Sequence, residues 1–159
     1  KGLWFYEMKE LGYNYRITDF QCSLGISQIK KLNKFVKKRR KIAKMYDIEF
    51  SGDKRFITPK VNLNSKHSYH IYPLLINFEN LKIDKKKLFK KMFKNKINLQ
   101  VHYIPIHLQP FYKKKYKYKK GDFPVAEKFY EKEVSLPIYY SLNKKQIYKV
   151  IRLIKKFCN

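Results

Sequence analysis

Acidic residues are scarce in this 159-residue sequence: 12 Asp and Glu stand against 38 Lys and Arg, for a formal charge of +26. An excess of that size ordinarily suggests nucleic acid or an anionic membrane as partner. Arginine, however, is scarcer still than acid, supplied by Arg16, Arg39, Arg40, Arg55 and Arg152 alone. The rest of the excess is lysine, beside abundant Asn, Ile, Tyr and Phe, the mixture that an AT-rich coding sequence places on any solvated surface. A basic RNA- or polyanion-binding module therefore stands as the alternative reading rather than the first one, and salt-sensitive binding of polyanions needs only the charge. Cysteine is limited to Cys22 and Cys158, far apart and without metal spacing, which points to a reducing cytoplasm rather than a disulfide framework. His67, His70, His102 and His107 have no carboxylate or thiolate beside them in sequence and make no convincing metal site. A signal peptide and an apolar run of about 18 residues are both missing, so no membrane span is expected. The first residue is Lys rather than Met, as in a fragment or a processed chain.

What is present is enough for one folded domain with its own core, since 44% of the residues are hydrophobic. The organising stretch is Leu11 to Tyr46. An aromatic-rich loop carrying Asn14 and Arg16 runs into Thr18, whose hydroxyl can cap a helix, with Gln21 at capping-box spacing. Ile29, Leu32, Val36, Ala43 and Phe50 recur as one helical face requires. Unbroken from Asp19 to Phe50, the helix would be roughly 48 Å long, a strut between two bodies. Gly25 within it suggests a close helix contact or a bend.

Ser51, Gly52 and Asp53 end that pattern, and Phe56 to Val61 is an extended lead-in. His67 to Phe78 has the composition of a buried strand, in which Pro73 favours an edge or bulge. Asp84 opens a basic helix ending near Asn95, with Leu88, Phe89, Met92 and Phe93 inward. Ile97 to Ile104 alternates as a second strand. A Tyr- and Lys-rich irregular segment follows, then a helix from Phe123 to Glu131, a short strand from Val134 to Ile138 and a closing helix from Leu142 to Phe157. The order predicts a small antiparallel or mixed sheet covered by helices on one face, an α/β (α+β) domain.

Gly12, Asn14, Arg16, Ile17, Thr18, Asp19, Gln21, Gly25, Gln28, Lys31 and Leu32, followed by Arg39, Arg40, Ile42, Ala43 and Tyr46, stand at the spacing of a family pattern that begins G-x-N-x-R. His70 to Pro73, Gln100 to His107, Ala126-Glu127 and Ser135-Leu136-Pro137 extend the match over nearly the whole chain. The sequence so resembles the DegT/DnrJ/StrS family of sugar aminotransferases, enzymes that use pyridoxal 5'-phosphate (PLP). The resemblance implies the carboxyl-terminal small domain of a fold-type I aminotransferase, residues 51–159, preceded by an interdomain loop and long linking helix, residues 1–50. It implies a homodimer in the intact enzyme, glutamate as amino donor and a nucleotide-linked 4-keto-6-deoxy sugar as substrate. The Val101 to Ile106 loop is most similar to members acting on a UDP-linked N-acetyl hexosamine.

Residue roles follow from the same resemblance. Asn14 and Arg16 would contact cofactor phosphate, with Asn14 reaching the partner's site and touching bound substrate as well. Gln100, Val101, His102 and Tyr103, with His107 a weaker candidate, would line the sugar pocket. Each has a plainer reading from its own chemistry. Asn14 can stabilise the turn before the helix, Arg16 can pair with Asp19, and His102 or His107 can be a core histidine bonded to backbone. The run Lys113 to Lys120 can attract diphosphate or simply be a solvated face.

The family's Schiff-base lysine lies in a glycine-rich motif ahead of the G-x-N-x-R loop. Here only thirteen residues precede Asn14, and the five glycines never cluster. The large PLP domain is expected to be absent, and this chain alone is expected not to transaminate. A non-catalytic subunit beside a separately encoded PLP domain is the alternative of the same origin.

Overall fold

The computed structural model describes residues 2–159. The chain divides between Asn33 and Lys34 into two compact units. In the first, an irregular aromatic segment ends at Thr18, and helix α1 (Asp19–Ile29) follows. The capping box forms: the Gln21 N–H donates to Thr18 Oγ1 at 3.3 Å, and the Thr18 N–H donates to Gln21 Oε1 at 2.9 Å. Two of the helix's orphan donors are thereby satisfied. No residue of α1 is buried, and Phe20, Leu24, Ile26 and Ile29 are all exposed.

The single long rod is not formed. The helix stops at Ile29, turns through Lys30 and Lys31, and resumes as α2 (Leu32–Phe50). A continuous helix would stack Lys30, Lys34 and Lys38 at i, i+4 spacing, where like charges repel. Gly25 is not the bend, and among the described residues nothing beyond its chain neighbours and its own helix backbone lies within 4 Å of where its Cβ would stand. The buried stripe also differs from the expected one. It consists of Ile42, Ala43, Tyr46 and Phe50, all in the second half of α2, whereas Ile29 and Leu32 are 71% and 52% exposed.

The second unit holds a three-stranded antiparallel sheet in the order β1 (Phe56–Ile57), β2 (Tyr72–Ile76), β3 (Glu133–Leu136). The chain enters it through a turn at Gly52, whose φ of +82° suits a residue without Cβ. Pro73 sits in the middle strand, not at an edge or bulge. The register explains why this is tolerated. Pro73 faces Ser135, and both the N–H and C=O of Ser135 are engaged by Gln100 on the far side of β3. Pro73 is therefore a non-hydrogen-bonded pair, and its missing donor faces β1, which pairs only with Ile76 and Leu75. No ladder bond is lost.

One sheet face carries Phe56, Tyr72, Leu74, Ile76, Val134 and Leu136 into a core shared with α2, α3 (Lys85–Lys94) and α6 (Lys144–Phe157). Tyr46 and Tyr72 meet there with ring centroids 4.9 Å apart. Their hydroxyls find acceptors, Pro137 O at 2.7 Å and Asp47 Oδ1 at 2.6 Å. Burial raises both phenols well above their ordinary value. Arg39 donates to the carbonyls of Tyr69, His70 and Ile138, and Arg40 to those of Lys66 and His67. The arginine pair thus pins the run that leads into β2.

Helix α3 is capped by Asp84 as expected, but Phe93 is 71% exposed and only Leu88 and Met92 are fully covered. The second expected strand, Ile97 to Ile104, contracts to one bridge between Gln100 and Ser135. Past it the chain turns at the cis peptide bond His102–Tyr103 and continues through α4 (Pro110–Tyr116) and α5 (Pro124–Lys132). Among the described residues no helix is long and apolar enough to cross a membrane.

Candidate functional site

The candidate residues fall in three places. Asn14 and Arg16 belong to the first unit and are exposed. Asn14 Oδ1 accepts the Arg16 backbone N–H at 3.2 Å, an Asx-type turn that leaves the Asn14 amide donors outward. No ion pair joins Arg16 to Asp19 among the described residues, so its guanidinium remains available to an anion.

Gln100 to Tyr103 form the second place, beside β3. Gln100 is held through its backbone, donating to Ser135 O at 3.2 Å and accepting from Ser135 N at 2.8 Å, while the residue itself is exposed. Val101 and His102 are half-buried, and Tyr103 is 73% exposed, its ring 4.7 Å from that of His102. His102 is anchored twice: its backbone N–H donates to Glu133 Oε2 at 3.0 Å, and its Nδ1 lies 2.8 Å from Ser135 Oγ. Ser135 in turn donates to Glu133 Oε1. Glu133 and Ser135 are 0% and 4% exposed. Next to them Tyr103 forms one wall of a mostly apolar depression with Pro105, Phe123, Val125 and Phe129. An exposed amide, an imidazole, a phenol and an apolar wall can together bond hydroxyls and stack on a sugar or base face.

His107 is separate. It is buried, and its Nε2 lies 2.9 Å from Glu127 Oε1, within a shell that includes Phe123. Glu127 also accepts the N–H of Gly121, a residue held at φ +98°, and that of Phe123. Desolvation raises the Glu127 carboxyl, yet the bonds from His107 and these two amides outweigh it and hold the group below its ordinary value. His107 therefore braces the turn rather than facing the loop of Gln100 to Tyr103. His67 and His70 lie in the run before β2, with the His67 Nδ1 accepting the Tyr69 N–H.

Two members of the loop's support, Glu133 and Ser135, are not evident in the expected Val134 to Ile138 strand, which leaves the glutamate outside. The signal was there in the i, i+2 spacing of a carboxyl and a hydroxyl on one strand face, because a charged residue in such a strand needs a partner. No group of three or more His, Cys, Asp or Glu capable of holding a metal occurs among the described residues.

The residues suit part of a PLP site. Asn14 and Arg16 offer free donors to a phosphate. The lysine that burial pushes below its ordinary value, Lys85, is instead committed to Tyr130, with its Nζ 2.5 Å from the carbonyl and 4.8 Å from the ring centroid.

Residues 2–155 match the sequence profile of the DegT/DnrJ/EryC1/StrS aminotransferase family. An uncharacterized protein of Methanocaldococcus jannaschii, MJ1066, is 47% identical over 98% of this chain and 40% of its own length. A UDP-4-amino-4,6-dideoxy-N-acetyl-beta-L-altrosamine transaminase from Campylobacter jejuni is 38% identical over 98% of this chain and 43% of its own. Among solved structures, Helicobacter pylori PseC, an aminotransferase involved in pseudoaminic acid biosynthesis, superposes with a TM-score of 0.88 at 31% identity, over 99% of this chain and 42% of that one. The chain spans about two-fifths of the length of these relatives.

Proposed function

We propose, from the premise that this chain belongs to the DegT/DnrJ/EryC1/StrS aminotransferase family, that it is the carboxyl-terminal portion of a PLP-dependent transaminase. Its substrate is a UDP-linked 4-keto-6-deoxy-N-acetyl hexosamine, on the route to pseudaminic acid in surface-glycan synthesis. The observation that carries the reading is the match over residues 2–155, together with 38% identity to a transaminase of that class. Residues 51–159 are then the small domain and residues 1–50 the connection to the PLP domain of the intact enzyme, a cytoplasmic homodimer. PLP, when bound, carries the amino group from glutamate to the keto sugar. Within this chain, Asn14 and Arg16 supply donors to phosphate, Asn14 reaches the substrate, and Gln100, Val101, His102 and Tyr103 bind and orient the sugar. His107 supports this loop's continuation through Glu127. No lysine of this chain is assigned a covalent role.

Two readouts on the isotopically labelled chain test the proposal. Borohydride reduction after mixing with PLP should give no saturable adduct at a single lysine. Titration with UDP-N-acetylglucosamine should move the resonances of Gln100 to Tyr103 and leave those of Lys113 to Lys120 nearly still. A stoichiometric adduct at one lysine, or shifts confined to the lysine run, overturns the proposal.

A further inference from the structure

The bonds around His102 determine more than its position. A serine hydroxyl has one proton. Ser135 spends its proton on Glu133 Oε1, and the other carboxylate oxygen accepts the His102 backbone N–H. Both oxygens act as acceptors, as an ionised carboxylate requires. Ser135 Oγ can therefore only accept from the imidazole 2.8 Å away, which places the proton of a neutral His102 on Nδ1. Nε2 is left with its lone pair and has no partner among the described residues, on a ring that is only half-buried.

We infer that Glu133 and Ser135 are positioning residues forming a one-way proton-bond relay that locks His102 as the Nδ1–H tautomer, so that Nε2 presents an acceptor to a hydroxyl or amide N–H of the ligand. The identity of that ligand as a nucleotide-linked amino sugar rests on the function proposed above. The relay itself does not. An acceptor at this point selects a ligand that brings a donor, such as a sugar hydroxyl or the N–H of an acetamido group, and it disfavours one that presents a bare carbonyl there.

The relay makes a sharp prediction for an isosteric change. In Glu133→Gln the carboxamide oxygen can still accept the His102 N–H, while its NH2 must donate to Ser135 Oγ. Ser135 then donates to Nδ1, and His102 flips to the Nε2–H tautomer. Long-range 1H–15N correlation spectra of the ligand-free, full chain read this directly, with a His102→Asn variant identifying the ring signals. The expected result is a protonated Nδ1 and a bare Nε2 in the native chain near pH 8, exchanged in Glu133→Gln, and a mixture of the two tautomers in Ser135→Ala. Backbone spectra report whether each variant folds. An Nε2–H tautomer in the native chain overturns the inference without any variant, as does a folded Glu133→Gln chain whose His102 is unchanged. Because the measurement needs no ligand, its failure is separable from failure of the sugar titration.

Discussion

At the scale of single residues, paired carboxylates are the informative feature. Glu127 joins the His107 ring to the amides of Gly121 and Phe123, and Asp53 is held low chiefly by the Arg55 side chain, 2.7 Å away, against an opposing desolvation effect. Both carboxyls lie below their ordinary values of 4.5 and 3.8. A depressed folded-state value means that the stabilisation is complete above the ordinary value and is lost as pH falls through the lower, folded one. Thermal melts between pH 6 and pH 3 should therefore show Tm steady down to about 4.5 and then falling, by the linkage of protons to unfolding. In Glu127→Gln the slope just below 4.5 should be shallower. An identical slope would show that the brace contributes nothing at this pH. Sequence chemistry identified the Thr18–Gln21 cap because that bond is local. It could not identify the Glu127–His107 bond, whose members are brought together only by the fold.

At the scale of elements, the contrast between α6 and α1 separates burial from periodicity. Ile147, Val150, Ile151 and Ile154 of α6 are 0–3% exposed, and the periodic reading of that helix holds. Truncating Ile154→Ala should cost about 2–5 kcal/mol in denaturant unfolding, as for other fully buried aliphatic side chains. Ile26→Ala in α1, where Ile26 is 57% exposed, should cost less than about 1 kcal/mol in the same chain. A comparable loss at both positions would mean that α1 is covered in solution. The strand expected at Ile97 to Ile104 fails for a related reason. Alternation shows which side chains can share a face, but a strand needs a neighbour along its length, and β3 offers one only at Gln100.

At the scale of the molecule, the +26 charge is spread mainly over exposed lysines, with Lys113 to Lys120 exposed throughout. Binding to duplex DNA or heparin should be measurable at low salt. It should fall by about a thousandfold between 50 and 200 mM salt if some six phosphates are neutralised, without preference for sequence. Selective, salt-resistant binding to one RNA would contradict the assignment of the charge to a solvated surface. The sequence alone determined the family, the helix starts at Thr18 and Asp84, the amphipathic closing helix and the expectation of a small helix-backed sheet. Those features rest on local spacing and on residue types that are costly to place wrongly. Only the tertiary structure decided that Pro73 sits harmlessly in a central strand and that Glu133, Ser135 and His102 meet. Each depends on which distant backbone lies alongside, and no spacing along one chain encodes that partner.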